Sequence, residues 1–481
     1  MKLRDLVNNY KYKDTIGSLD VEISGLEFDS RNVKSGGLFF CLRGKNENGE
    51  KFVYDAINKG AAAVVTQTPL SIGVPQIIAR DCRDAFAKLS AQFYGNPAEK
   101  LKMIAVVGTN GKTTTCHIIK SILEKKGLKT GLIGTIGVKY NDKTEDSILT
   151  TPDPPELNKI LSEMVLSGVK YVVMEVSAHA IKLQKLNGII FSVAVFTNFS
   201  QDHLDFFESM EEYKNTKISF FDPVHCEKAV VNADDPAGLE IIRNAKIPVL
   251  SYGADNPSDV FAVDITADDK GIKYVINMLD MLYEFSSGLL AEFNVYNSLA
   301  AACCCKLLGI GLSDIASGIA AVNTVDGRMQ RVEGTDKNII VDFAHTPDGL
   351  EKVLLSLKKL CKNKLICLFG CGGNRDKLKR PVMGGIAGKH SDFVILTSDN
   401  PRFEDPVDII KQIEHGLKEV NENYVAISDR RAAIEYALSV LEDGDMLLLA
   451  GKGNEKYQDV MGTKHDFNDI AVVRELLKIN E

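Results

Sequence analysis

A chain of 481 residues, 45% of them apolar and 25% charged, is too long for one hydrophobic core and is expected to form about three globular domains. Its formal net charge of −8 excludes broad nucleic-acid or anionic-membrane binding, which needs a basic surface, but leaves room for a local basic pocket. The N-terminus carries no apolar signal core, and the nearest approach to a membrane span, residues 289–312, is interrupted by Glu292, Asn294, Asn297 and Lys306, so no membrane insertion and a cytoplasmic location are expected.

In chain order, a first block shows short strand-like runs at 21–28, 38–41, 62–66 and 76–79, with a helix-like segment at 84–94. The turn formers Gly95, Asn96 and Pro97 mark a boundary. The second block opens with an apolar run, 103–107, followed by G-T-N-G-K-T-T and an amphipathic stretch to residue 126. A strand, a Gly-rich turn and a helix in that order present backbone N–H groups to phosphates. Lys112 is in register to reach the outer phosphates, and the Thr113 hydroxyl to hold Mg2+. Val106 stands where the first Gly of the general phosphate-loop pattern belongs, so this loop is a shorter version.

Further apolar runs at 171–176, 193–197 and 229–232, separated by helical patterns, argue for a parallel sheet covered on both faces. Two of them end in polar clusters. Glu175 lies near the end of the first, where an acid beside a phosphate loop can hold Mg2+. The second ends in T-N-F-S-Q-D-H-L-D, residues 197–205, where His203 is a candidate metal or phosphate ligand. Beyond residue 255 the pattern weakens until a helix at 292–308. That helix contains Cys303, Cys304 and Cys305. Neither this triplet nor the Cys367/Cys371 pair has zinc-site spacing, so they read as small buried hydrophobes in a reducing compartment.

A third block begins near Val332, with strand candidates at 339–343, 365–369, 393–397 and 446–450 and helices between them, as in a second doubly wound unit. Three polar loops follow three of these strands: 369–381 with Arg375, Lys377, Lys379 and Arg380; 397–402, T-S-D-N-P-R; and 450–455, A-G-K-G-N-E. Together they outline one anion-binding pocket.

With these motifs assembled, the whole chain resembles the Mur ligase family, ATP-dependent enzymes that add amino acids to the UDP-muramoyl peptide precursor of peptidoglycan. D-S-R-N-V-K-S-G-G-L-F-F (29–40), G-T-N-G-K-T-T, T-T-P-D-P (150–154), M-E-V-S-A-H, T-N-F-S-Q-D-H-L-D and D-F-A-H-T-P-D (342–348) match in order, most closely those of the branch that adds the third residue. The resemblance implies an α/β protein of three domains. Residues 1–98 would form a smaller α/β domain binding the UDP substrate, 99–332 a central P-loop-type parallel-sheet ATPase domain, and 333–481 a Rossmann-like doubly wound domain binding the amino acid. It implies a monomer using ATP and Mg2+ in cell-wall biogenesis: ATP phosphorylates the terminal D-glutamyl carboxylate of the UDP-muramoyl-dipeptide, and an amine attacks the acyl phosphate.

Carried over residue by residue, ATP would be met by Gly108, Thr109, Asn110, Gly111, Lys112, Thr113 and Thr114, with Asn297 at adenine, Arg328 at phosphate and Asp342 at ribose. Phe28, Ser30, Lys45, Asn46, Glu47, Thr150, Thr151, Ser177 and Lys185 would contact the UDP substrate. Lys217 matches the family's carbamoylated lysine, which would join Thr113, Glu175 and His203 around the metal; without the resemblance it reads as a solvated helix lysine. Arg375, Asp399, Asn400, Pro401, Arg402, Gly451 and Glu455 would form the amino-acid pocket. The D-N-P-R motif points to meso-diaminopimelate rather than lysine, because a guanidinium grips a second carboxylate and repels an ammonium. Ala178 and Asn454 depart from the commoner Ser and His, and Leu183 and Lys185 from Gln and Arg. A sister ligase adding D-alanyl-D-alanine or extending folate, and a P-loop ATPase that ligates nothing, remain the competing readings.

Overall fold

The computed structural model describes residues 1–44, 47–147, 149–278 and 281–479. Three main sheets follow one another along the chain. The first runs Asp14–Ile16, Gln76–Ile78, Ala61–Thr66, Gly37–Phe40, Gly25–Glu27; only the first strand is antiparallel to its neighbour. Helix Cys82–Phe93 packs on this sheet, its N-terminus capped by Asp81, whose carboxylate accepts the N–H groups of Arg83 and Asp84.

Among the described residues the central sheet has eleven strands. Its parallel core places Lys102–Val107 between Tyr171–Val176 and Val193–Phe196, so the phosphate loop emerges at the middle of the sheet's C-terminal edge. The apolar run is needed because both faces are covered. Ile104 and Val106 pack towards helices Lys112–Lys125, Phe293–Leu307 and Leu312–Ala320, while Met103, Ala105 and Val107 pack towards helix Pro154–Leu166. Cys303, Cys304 and Cys305 are fully buried among the first set, and burial pushes their thiols up.

The third sheet orders Gln330–Arg331, Asn338–Asp342, Met446–Ala450, Leu365–Phe369, Phe393–Leu396, Tyr424–Ala426, with all but the first strand parallel. A hairpin, Tyr457–Val460 with Thr463–Asp466, lies beside it.

Three departures from the expected elements are informative. The run 21–28 contributes only Gly25–Glu27 and a bridge at Glu22. The weak region after 255 is an antiparallel meander, Val260–Asp268, Gly271–Met278 and Met281–Ser287, at the sheet's edge. Its alternating exposure dilutes the apolar signal that marks the parallel strands. Strand Thr130–Gly134 carries two glycines and so has low strand propensity. A Cβ at Gly134 would overlap the Glu175 carboxylate, so the residue that hides the strand also admits the acid.

Candidate active site

The phosphate loop joins strand Lys102–Val107 to helix Lys112–Lys125. Gly111 turns the chain at φ 83°, in the left-handed region, and a Cβ there would collide with Asn297 Oδ1. The segment after strand Val193–Phe196 holds the loop in shape. Asn198 Oδ1 accepts the Asn110 N–H (2.9 Å), and Thr197 Oγ1 donates to the Asn110 carbonyl (2.7 Å). The Lys112 ammonium folds back onto the carbonyls of Gly108 (3.0 Å) and Thr109 (2.8 Å). Burial pulls its pKa down.

Glu175, 1% exposed, is the acid beside the loop. Its Oε1 accepts the Thr113 hydroxyl (3.0 Å) and the Thr135 N–H (2.8 Å), and its Oε2 accepts the Thr135 hydroxyl (3.1 Å). Arg328 donates to Thr113 Oγ1 (3.1 Å) and lies over the Phe343 ring, so a guanidinium from beyond the central sheet meets the phosphate-loop threonine.

Lys217 corrects the reading of a solvated helix lysine. It is 1% exposed, lies over the Tyr213 ring at 4.2 Å and donates to Thr109 Oγ1 at 2.7 Å. Burial, with Lys112 nearby, pulls its pKa well below the usual lysine range. Helix Met210–Ile218 is polar on most sides, so its sequence gives no hint of this. His203 sits at φ 57° with Nε2 3.3 Å from Asp202 Oδ2, and burial holds the imidazole down at about 3. Of the four groups expected to share a metal, Thr113 and Glu175 bond to each other, while His203 turns to Asp202 and Lys217 to Thr109.

Asp202, given no role in the sequence, is a hub. His345 Nε2 (3.8 Å) and Lys379 Nζ (3.9 Å) approach it from the third sheet's loops. Burial alone would raise its carboxyl, but His203, His345 and Lys379 outweigh that and hold it well below the carboxylate range. Asn110 Nδ2 also donates to Asp348 (2.7 Å), so the phosphate loop itself touches the third unit.

The other nucleotide candidates surround the loop. Asn297 is buried with its Oδ1 accepting the Thr115 hydroxyl and its Nδ2 donating to Asn294. Both Asp342 oxygens accept backbone N–H groups, from Met329 and Ala344. Among the UDP-substrate candidates, Thr150 bonds to Thr135 (3.0 Å), and Thr151 bonds to the Glu175 carbonyl (2.8 Å) and accepts the Ser177 N–H (3.0 Å). These three therefore adjoin the acid. Lys185 pairs with Asp153 (2.8 Å). In the first unit Ser30 is buried, Phe28 packs edge-on against Phe86, and Glu47 pairs with Lys51. Lys45 and Asn46 lie outside the described residues.

The amino-acid candidates gather at the C-terminal edge of the third sheet. Asn400 Nδ2 donates to Glu455 Oε2 (2.8 Å). Arg402, at φ 50°, donates to the Gly373 carbonyl (2.9 Å), so the Gly-rich turn and the D-N-P-R loop form one wall, with Pro401 buried in it. A Cβ on Gly451 would press on Asp399. Arg375 reaches across to Asp205 of the central unit (3.3 Å). These loops are therefore tied to the central unit beside the phosphate loop.

Comparison with known proteins fits this geometry. Residues 22–94 match the Mur ligase family catalytic domain, 106–305 the Mur ligase middle domain, and 327–453 the Mur ligase glutamate ligase domain. Over its whole length the chain is 43% identical to UDP-N-acetylmuramoyl-L-alanyl-D-glutamate--2,6-diaminopimelate ligase of Caldanaerobacter subterraneus subsp. tengcongensis, all of which is covered. The chain belongs to the Mur ligase family. It is a ligase of that family, built on the same three-part α/β architecture. The relative of the same name from Bacillus cereus is 40% identical, over 99% of this chain and 98% of that protein. A solved structure of a ligase of that name superposes with a TM-score of 0.70 at 30% identity, covering 99% of both chains. The MurF ligase of Thermotoga maritima, solved in complex with ADP, shares the fold at 19% identity, with a TM-score of 0.63 over 95% of this chain and 97% of that one.

Proposed function

We propose that this chain adds meso-diaminopimelate to UDP-N-acetylmuramoyl-L-alanyl-D-glutamate at the expense of ATP, in peptidoglycan precursor synthesis in the cytoplasm. The names of its full-length relatives support the reading. The observation that carries it is the linkage of two unlike sites: a phosphate loop with Lys112 and the buried Lys217 beside it, and, tied to the central unit by Asn110–Asp348 and Arg375–Asp205, loops that hold Arg402, Asn400 and Glu455.

The chemistry follows from the parts. The D-glutamyl carboxylate oxygen attacks the γ-phosphorus of ATP; that P–O bond forms as the bond to ADP breaks. Lys112 and Arg328 neutralise charge on the transferring group, and the loop amides hold it in line. The amine of the amino acid then attacks the acyl carbon, inorganic phosphate leaves with the C–O electron pair, and the amine gives up a proton. The Thr113 hydroxyl and the Glu175 carboxylate, adjacent hard oxygen donors, fit Mg2+, which supplies further charge neutralisation when bound. A buried, readily deprotonated Lys217 amine is the form that adds CO2, with an N–C bond made and a proton released, so Lys217 is assigned as a carbamate. We assign residues 1–98, 99–332 and 333–481 to UDP-substrate, ATP and amino-acid binding.

The test is ADP formation at saturating UDP-muramoyl-dipeptide with a panel of amino acids. Release dependent on diaminopimelate is expected. A preference for L-lysine would overturn the specificity, and release independent of any amine would overturn the ligase reading.

A further inference from the structure

Lys452 belongs to the polar loop after strand Met446–Ala450, and the assignments above leave it without a role. It is fully buried, 0% exposed, and bonded to two of the candidate pocket residues, Asn400 and Glu455. Its Nζ donates to Glu455 Oε2 (2.9 Å), the Tyr457 carbonyl (2.7 Å) and Asn400 Oδ1 (3.3 Å). Those three acceptors match the three donors of an ammonium. Asn400 Oδ1 also accepts the Asp459 N–H (2.9 Å), so two donors fix which end of the amide points inward. The Asn400 NH2 must then face Glu455, and it does, at 2.8 Å from the same Oε2. Glu455 Oε2 is thus doubly satisfied, while Oε1 makes no hydrogen bond among the described residues and the side chain stays partly exposed.

The charges of this wall also balance. The Lys452 cation stands against the Glu455 carboxylate, and Arg402 Nε lies 3.9 Å from Asp459 Oδ2. A wall of net zero charge suits a ligand end that is itself a zwitterion and leaves a lone ammonium without a counter-charge.

We propose that Lys452 is a positioning and specificity-determining residue: it orients Asn400, occupies one oxygen of Glu455 so that only the other faces the ligand, and cancels the Glu455 charge so that the pocket selects an amino acid whose distal end carries both an ammonium and a carboxylate over one whose distal end carries an ammonium alone. The inference rests on the diaminopimelate reading and deepens it. It predicts a shift of preference, which a merely structural lysine does not produce.

The test compares kcat/KM for meso-diaminopimelate and L-lysine in the full-length enzyme, in wild type, Lys452→Met and the double variant Lys452→Met/Glu455→Gln. Lys452→Met exposes a net negative wall. The diaminopimelate-to-lysine ratio should fall by about tenfold or more, carried mainly by KM for the amino acid, with KM for ATP unchanged. The double variant restores a neutral wall and should lose any gained lysine use. If Lys452→Met is insoluble, Lys452→Gln removes the same charge with a shorter side chain and carries the same comparison. Equal losses for both amino acids, or an unchanged ratio, overturn the role of Lys452. A wild type that makes no use of diaminopimelate overturns the proposed function instead.

Discussion

The phosphate loop and the candidate amino-acid pocket pair their basic side chains in opposite ways. Beside the loop, Lys112 and Lys217 bond to neutral oxygens, the carbonyls of Gly108 and Thr109 and the Thr109 hydroxyl, and burial depresses both. In the third unit the cations stand against carboxylates: Lys452 with Glu455, Arg380 with Glu404, and Arg430 with Asp469, the last pair fully buried. Glu175 and Asp202 only partly offset the cost of burial at Lys112, so an anion bound at the loop would offset it further. The pocket is already balanced and suits a ligand of no net charge. On the proposed function, this contrast matches a polyanion, ATP, at the loop and a zwitterionic amino acid at the pocket.

The comparison breaks most severely at Lys112. Lys112→Ala removes the cation nearest the loop carbonyls and should lower ATP turnover by about 10²–10³ or more, as for loss of a transition-state charge donor. Circular dichroism should stay native. Turnover near wild type would mean the site does not need this cation.

Lys217→Ala should be nearly as damaging, for a different reason. If the amine carries a carbamate, a small exogenous carboxylate restores the lost anion and recovers part of the activity. Full activity of the variant, or loss with no rescue by any short carboxylate, would remove the carbamate from the account.

Arg402→Ala sharpens the second half of the comparison. A distal carboxylate left unpaired in the bound complex costs about 2–5 kcal/mol, so diaminopimelate use should fall roughly 30-fold or more at about 1.4 kcal/mol per tenfold. KM for ATP and for the UDP substrate should hold. Arg402→Lys should rescue only partly, because an ammonium lacks the planar fork. Normal diaminopimelate kinetics in Arg402→Ala would end the specificity assignment.

The smallest effect concerns the pairs that brace the pocket. Hydrogen bonding to Arg380 holds the Glu404 carboxyl at about 2, against 4.5 when unperturbed. A depressed acid contributes stability that is fully present above 4.5 and is lost as pH falls towards 2. Allowing for its partial exposure, the contribution is about 2 kcal/mol. Melting temperatures of wild type and Glu404→Gln should therefore differ at pH 7 and converge in acid. A constant gap across that range would show that the pair is not what titrates.

Local features of the chain were enough for the parallel strands and the phosphate loop. Strands such as Tyr171–Val176 and Met446–Ala450 are buried on both faces, so their apolar runs carry their own signal, and Gly111, Lys112 and Thr113 act through spacing that is purely local. The edge meander after Val260 was unreadable because one-sided burial leaves polar residues in the pattern. Tertiary structure alone decided which lysines are buried and what each one meets. Lys217 in a polar helix reads the same in solvent or in the interior; its burial depends on Thr109, 108 residues earlier. Lys452 looks like one more loop charge until Asn400, 52 residues before it, comes within 3.3 Å. Asp202 becomes a hub only when His345 and Lys379 arrive from another sheet. Desolvation and charge pairing depend on what surrounds a group in space, and sequence spacing cannot report that.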